Sequence, residues 1–411
     1  MKSSLTFSLF LGGSLLLGSR SHAAEKRTPK SFTVVVGAGP LTRSNTVASV
    51  ELQGALTQAR WLKSQDGKRT ALQVDSSGRG WFLIPRLAAG ATQSYELDLK
   101  RKPSSGRPEC ELEFSAGELQ LSVRRHPAFT YHHEPAELPR PDIQPIYKRG
   151  GYIHPLFSPS GLQITDDYST NHTHHHGIWS AWTKTVFEGR HPDFWNMGDG
   201  KGTVTPVALE ESWDGPIHCG FRSRLRYYDL STTPRRAALE ETWEARLYGV
   251  GGRKADYFLF DLDIRQTATA SPLELLTYLY GGLGFRGNEE WNGASNTVFL
   301  TSEGIMDRIK AHATHPRWCY IGGKVEGKQT GVAILCHGDS FRAPQPVRVH
   351  PSEPFFCYAP PQAGDFQITR EKPYAAHYRF VTFDGQPNAD RLNDIWEDYN
   401  RPVTTELKIL Y

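Results

Sequence analysis

Apolar and polar positions alternate along most of this chain with the two-residue period of a β-strand. The alternating stretches are short and punctuated by Gly, Pro and Ser. Residues 32–36 run apolar, and residues 94–99 and 119–123 read as strands. Further on, Phe258, Phe260, Leu262 and Ile264 alternate with Leu259, Asp261 and Asp263, which predicts one apolar and one mixed face. Residues 331–336 are apolar throughout and predict a strand buried on both sides. The helical period is clear in one place, where Leu392, Ile395, Trp396 and Tyr399 share a face after Asn388 as N-cap, with Pro402 beyond the end. Little helix lies between strands, so the expected class is all-β: an antiparallel, supersandwich-like β-sandwich with one C-terminal helix. The polar stretch 100–108 reads as a linker, the alternative being a hairpin loop inside one sheet. It sets a small N-terminal β-domain at residues 25–105 apart from a main sandwich at 110–411.

Composition narrows the setting. Residues 1–23 carry Lys2, a short apolar run and Ser21-His22-Ala23, the pattern of a secretory leader, so the expected location is periplasmic or secreted. Removing that segment takes away Lys2 and Arg20 and no acid, so 47 basic residues fall to 45 against 44 acidic ones. Such a balance gives no electrostatic reason to bind nucleic acid or an anionic membrane. No later stretch has the roughly twenty apolar residues of a membrane span. Five scattered cysteines argue against a disulfide framework and a CxxC metal site while leaving one or two bridges open.

Candidate chemistry concentrates in one stretch, YIHPLFSPSGLQITDDYSTNHTHHHGIWSAW, followed by a DFW. If the backbone there is extended, His172, His174 and His176 lie on one face and Thr173 and His175 on the other. Three imidazoles on one face suit a divalent transition metal such as zinc, iron or copper, with Asp166 or Asp167 as fourth ligand or orienter. The same histidines suit a metal-free pocket in which His172, His174 and His175 act as acid, base or hydrogen-bonding groups beside Asp166 and Asp167. A structural histidine network is the third reading. Trp179, Trp182 and Trp195 are candidates for a sugar-stacking platform or for core, and Asp193 for a hydroxyl acceptor or a turn residue. In the glycine-rich run 281–292, Arg286 and Asn288 are candidates for a binding rim. Around Trp243, Glu240 and Glu244 fall on one strand face and Glu241 on the other; a carboxylate there is a candidate general base or metal ligand, or the run is a solvated strand face. His315 and His337 are single loop histidines. The run Val36-Gly37-Ala38-Gly39-Pro40 reads as a turn, since no helix follows it. No GxSxG elbow is present.

The H-x-HH-x-GIW core, the DFW and the later GNEEWNG and ATHPRWCYIGG segments resemble a family of secreted bacterial proteins of unassigned function called PmoA-like, or methane oxygenase PmoA. The resemblance runs from about Leu112 onward. It implies metal-dependent oxygenase chemistry, although the methane monooxygenase subunit behind the label is an integral membrane protein. Where the related sequences read HPHHRG, this chain has Thr173 for Pro and His176 for Arg, which unsettles any role carried by a cation there. A looser similarity is to mutarotase-like supersandwich proteins, which use histidines and a carboxylate to move protons around a sugar; fold alone does not fix function. The leading expectation is a carbohydrate-active enzyme acting on a sugar or oligosaccharide by epimerisation, elimination or hydrolysis. The alternatives are a metal-dependent oxygenase or hydrolase and a non-catalytic sugar-binding protein.

Overall fold

The computed structural model describes residues 31–102, 106–250 and 256–410; the leader expected at 1–23 lies outside them. Two eight-stranded antiparallel sheets form the main body. The first runs, edge to edge, through Gly202–Trp213, His218–Asp229, Arg236–Tyr248, Tyr257–Ala268, Tyr374–Asp384, Lys328–Cys336, Trp318–Val325 and Thr297–Thr301. Its strands reach thirteen residues. The second holds Val347–Val349, Phe355–Tyr358, Gly282–Arg286, Ile178–Ala181, Tyr152–Leu156, His126–His132, Glu118–Val123 and Cys110–Ser115.

The alternation decides how the sheets meet. Phe258, Phe260, Leu262 and Ile264 face inward into the shared core, where Phe129 meets Phe260 at 4.6 Å and Tyr131 stacks on Phe221 at 4.1 Å. The same strand turns Leu259, Asp261 and Asp263 to the outer face. The all-β sandwich expected from the pattern is the fold observed.

The helix forms over Ala389–Asn400, and the Asn388 side chain caps it by accepting from the Arg391 N–H. Leu392, Ile395 and Trp396 cover the outer face of the first sheet at Trp318, Tyr320, Leu335 and Val381, and Val47 and Leu83 reach the same cluster from the N-terminal strands. A second, one-turn helix at Arg308–Ala311 was not legible in the sequence. No helix among the described residues is long and apolar enough to cross a membrane.

Residues 31–98 build a five-stranded and a three-stranded sheet around Val34, Val36, Val50, Leu62, Phe82 and Ile84. The five-stranded sheet takes its edge strand, Thr404–Leu410, from the far end of the chain, paired antiparallel with Ser31–Gly37. The expected division put that strand with the main sandwich. Its pairing register is set by partners nearly four hundred residues away, which no local pattern reveals. The Ser31–Gly37 strand ends in a turn at Gly39, where φ is +67°. All five cysteines are buried and free, so the bridges left open by the sequence are not formed.

Candidate active site

The histidine run is not a strand. Asp166 N–H donates to the Arg286 carbonyl and Tyr168 N–H to the His175 carbonyl, while His172 and His175 close successive turns onto Ser169 and His172. Tyr168 sits at φ +49°, a left-handed conformation that a bulky residue holds only under constraint. The chain becomes extended at Ile178, just after Gly177. A Cβ on Gly177 would lie 2.4 Å from the Ile153 carbonyl oxygen, so only glycine lets the loop enter the sheet there.

This path overturns the alternation expected for His172, His174 and His176. His172 lies face to face with His175 at 4.6 Å, and His174 stands edge-on to both. His176 turns away to the interior, where its Nδ1 meets Asp167 Oδ1 at 2.6 Å and Tyr152 donates to Asp167 Oδ2 at 2.9 Å. Among the described residues no group of three or more His, Cys, Asp or Glu side chains is arranged to hold a metal ion. Consecutive turns, rather than a pleat, aim the rings in different directions.

Two carboxylate–imidazole pairs result. The outer one is formed by Glu353, whose Oε2 lies 2.7 Å from Arg286 Nη1 and 3.0 Å from His172 Nδ1. The Arg contact is an aligned hydrogen bond, whereas the His172 ring sits at ion-pair distance off the hydrogen-bond axis. His172 is one-third exposed. His350 stands nearby, its ring 6.3 Å from that of His172, and its Nδ1 accepts the Glu353 N–H, leaving Nε2 as the protonated nitrogen of the neutral ring. The inner pair, His176 with Asp167, is sealed: His176 has no exposed surface and its Nε2 has no partner among the described residues.

Burial sets the charge state. It pushes His174 down to about 3, with His172, His176 and Arg286 adding to the effect. It holds His175 well below the usual imidazole value, and His172 and His350 also lie low, against the pull of Glu353. His176 is lowered by burial against the pull of Asp167. For Asp167, burial acts upward most strongly, but His176, His154 and His132 together bring it below the usual value, so the carboxyl stays ionised. At neutral pH this is therefore an array of neutral imidazoles, each with one donor and one acceptor nitrogen.

The other expected residues divide. Asp166 accepts from Ser169 and lies 3.9 Å from Arg286, so it helps to hold the loop. Arg286 is wholly buried and binds Glu353, Asn171 and Asn292. It positions the loop and is not a substrate-binding rim, because its stretch is an inner strand of the second sheet. Trp179 and Trp195, at 0 % and 1 % exposure, offer no open face for a sugar; they form a floor under His175. Trp182 is core, its Nε1 donating to Gln266 at 2.6 Å. Asp193 is consumed in a turn, accepting the backbone N–H groups of Trp195 and Asn196. Asn288 caps a short helical turn and donates to the Gln163 carbonyl. His315 lies elsewhere, bonded to the Pro344 carbonyl.

Sequence reasoning missed Glu353 and His350. They sit in a Pro-rich turn far along the chain from the loop they contact, and no spacing links them to it. It also missed Arg149, buried between the sheets with both terminal nitrogens unpartnered among the described residues. Glu241 was seen, but its face is the sandwich interior and not solvent. Gln266 and Tyr227 donate to its Oε1, and burial raises its pKa.

Fold and site together define an all-β sandwich protein with a loop of neutral histidines backed by a carboxylate and a buried guanidinium. The chain belongs to DUF6807, a family of unknown function whose pattern matches residues 118–397. That description assigns no activity, and no oxygenase label accompanies it. No curated protein matches the chain. Among solved structures it is similar to an alpha-mannosidase from Enterococcus faecalis V583, with 9 % identity over 93 % of this chain and a TM-score of 0.46. It is also similar to a glycosyl hydrolase family 38 protein from Enterococcus faecalis, with 9 % identity over 92 % of this chain and a TM-score of 0.42. The chain spans about half the length of each, 46 % and 47 %.

Proposed function

We propose that this protein is a carbohydrate-active enzyme that moves protons on a sugar or glycoside through the histidine loop, with His172 as the proton-transferring group and Glu353 as its positioning residue. The observation that carries the reading is the sequence of contacts from buried Arg286 through Glu353 to the partly exposed His172. A carboxylate 3.0 Å from Nδ1 favours by its charge the tautomer protonated there, which leaves Nε2 to accept a proton, as general base catalysis requires. Because His172 is held below its ordinary value, it is unprotonated and ready as a base at neutral pH. His174 and His350 stand beside it, their rings 5.6 and 6.3 Å from that of His172, as neutral rings that both donate and accept. That character suits a neutral polyhydroxylated substrate better than a phosphate, which calls for cations. Epimerisation, elimination and hydrolysis all share such a proton transfer.

The test is turnover of a panel of monosaccharides and oligosaccharides in deuterated water, followed by NMR for deuterium incorporation and product. His172→Gln is expected to lower kcat by about 10²–10⁴-fold with the thermal midpoint retained. Glu353→Gln is expected to lower it less and to move the acid limb of the pH profile. Wild-type turnover in His172→Gln would refute the assignment. A panel left unchanged by the wild-type protein would refute the carbohydrate reading.

A further inference from the structure

A cleft of about 450 Å³ opens on the outer face of the first sheet, on the side away from the histidine loop. The strand Tyr374–Asp384 separates the two: Ala376 and Tyr378 point into the sandwich core, and His377 and Arg379 point out into the cleft. Three parts of the chain wall it. Ser49 and Trp81 come from the N-terminal strands, Asp263 and His377 from the central strands, and Tyr399 from the C-terminal helix.

The walls are strongly polar and internally balanced. Arg379 forms a two-pronged contact with Asp261 at 2.7 and 2.9 Å, and the Tyr248 hydroxyl donates to the same carboxylate. His377 Nδ1 meets Asp263 Oδ1 at 2.6 Å, while Arg246 binds Glu244 and lies 3.8 Å from Asp263. His337 stands beside His377, and its Nδ1 accepts the Asp339 N–H. Asp263 and His377 are each 36 % exposed, so both reach an incoming molecule. The Tyr399 hydroxyl has no partner among the described residues.

We propose that this cleft is a second ligand site, one that binds a neutral saccharide across the joint between the N-terminal strands and the main sandwich. Arg79, Arg246, Arg379 and His377 are each matched by a carboxylate and His337 accepts a backbone N–H, so the wall has little net charge to attract an anion. It offers instead fixed donors and acceptors side by side, which sugar hydroxyls satisfy because each hydroxyl both donates and accepts. The volume suits one or two sugar rings. Since the ligand touches both parts of the chain, binding also clamps them together and raises the unfolding midpoint by mass action. This inference does not depend on the role given to His172.

The experiment uses the full chain and calorimetric titration with glucose, galactose, maltose, cellobiose and glucuronate, with the thermal midpoint recorded for each. At least one neutral sugar is expected to bind wild type and His172→Gln equally and to raise both midpoints. The double variant Asp263→Asn/His377→Gln is expected to bind it at least tenfold more weakly. Ser49→Tyr, which fills the cleft without removing a charge, is expected to do the same and decides the matter if the double variant does not fold. Binding of no neutral sugar, binding of glucuronate alone, or binding lost in His172→Gln but kept in Ser49→Tyr would each overturn the proposal.

Discussion

Removing the Glu353 carboxylate tests the physical core of the histidine site without needing a substrate. Arg286 has no exposed surface, and Glu353, itself only 14 % exposed, is its closest charged partner. Truncating one member of a buried ion pair costs roughly 3–5 kcal/mol, because the remaining charge is stranded. Here the loss falls near the lower end. Asn171 and Asn292 still accept from Arg286 Nη2, and Asp166 remains 3.9 Å from its Nε. Glu353→Ala should therefore lower stability by about 3 kcal/mol, and Glu353→Gln, which keeps an oxygen for the guanidinium, by about 1–2 kcal/mol. Adding Arg286→Met to Glu353→Ala removes the stranded charge and should recover at least half of the loss. Urea unfolding followed by tryptophan fluorescence reads all four proteins, with Trp179 and Trp195 packed directly beneath the loop. A Glu353→Ala variant within about 1 kcal/mol of wild type, or a double variant no better than the single one, would show that Arg286 does not depend on this carboxylate.

Two further outcomes follow from the same coordinates. Burial holds His174 and His218 at about 3, below the ordinary imidazole value of 6.5, so the folded protein resists protons that the unfolded chain takes up. Stability from these rings is complete above about pH 6.5 and drains away as pH falls toward 3, by up to about 1.4 kcal/mol per unit for each ring. His377, raised by its bond to Asp263, acts in the opposite sense: its contribution is full below about pH 6.5 and fades above. Urea midpoints at pH 7.5, 6 and 5 should fall steadily, and a flat profile would contradict the burial argument. Ending the chain before Thr404 removes the partner of Ser31–Gly37, where Val34 and Val36 are buried. Limited proteolysis should then cut within residues 31–98 while sparing the main sandwich, and an unchanged digestion pattern would show that the sheet holds without its edge strand.

The period-two pattern made the fold legible because each strand buries one face, and burial is recorded residue by residue. It placed Phe258, Phe260, Leu262 and Ile264 inside and Asp261 and Asp263 outside, and it located the helix through Asn388 and the Leu392 stripe. The same rule failed on the histidines, because it holds only where backbone is extended and residues 166–176 are a series of turns. Richness in His and Asp pointed to the right loop but not to the partners of each ring. Glu353 reaches His172 from a turn in another part of the second sheet, and Arg286, which holds Glu353, reads in sequence as part of a flexible glycine loop. Tryptophans flanking the run suggested a sugar platform. They are buried because the loop lies over the end of the sandwich, and the rings nearest that end become its floor.

One sheet thus carries two different electrostatic regimes on its faces, and the difference bears on which face does chemistry. Toward the second sheet, Glu241 and Arg149 are enclosed and their charged forms disfavoured, and the adjoining histidines are neutral. Outward, Arg379 with Asp261 and His377 with Asp263 remain paired near solvent. Proton transfer needs a group that can change charge with modest cost, so a fully sealed imidazole such as His176 is a poor catalyst despite its ideal carboxylate partner. His172 meets the requirement better, because Glu353 lies at ion-pair distance from its Nδ1 while the ring is one-third exposed. The outer cleft has the complementary character, with charges held in pairs that can orient hydroxyl groups. On these grounds the proposed proton transfer is assigned to the loop and the proposed saccharide binding to the cleft. A His172 variant that keeps sugar binding while losing turnover would separate the two.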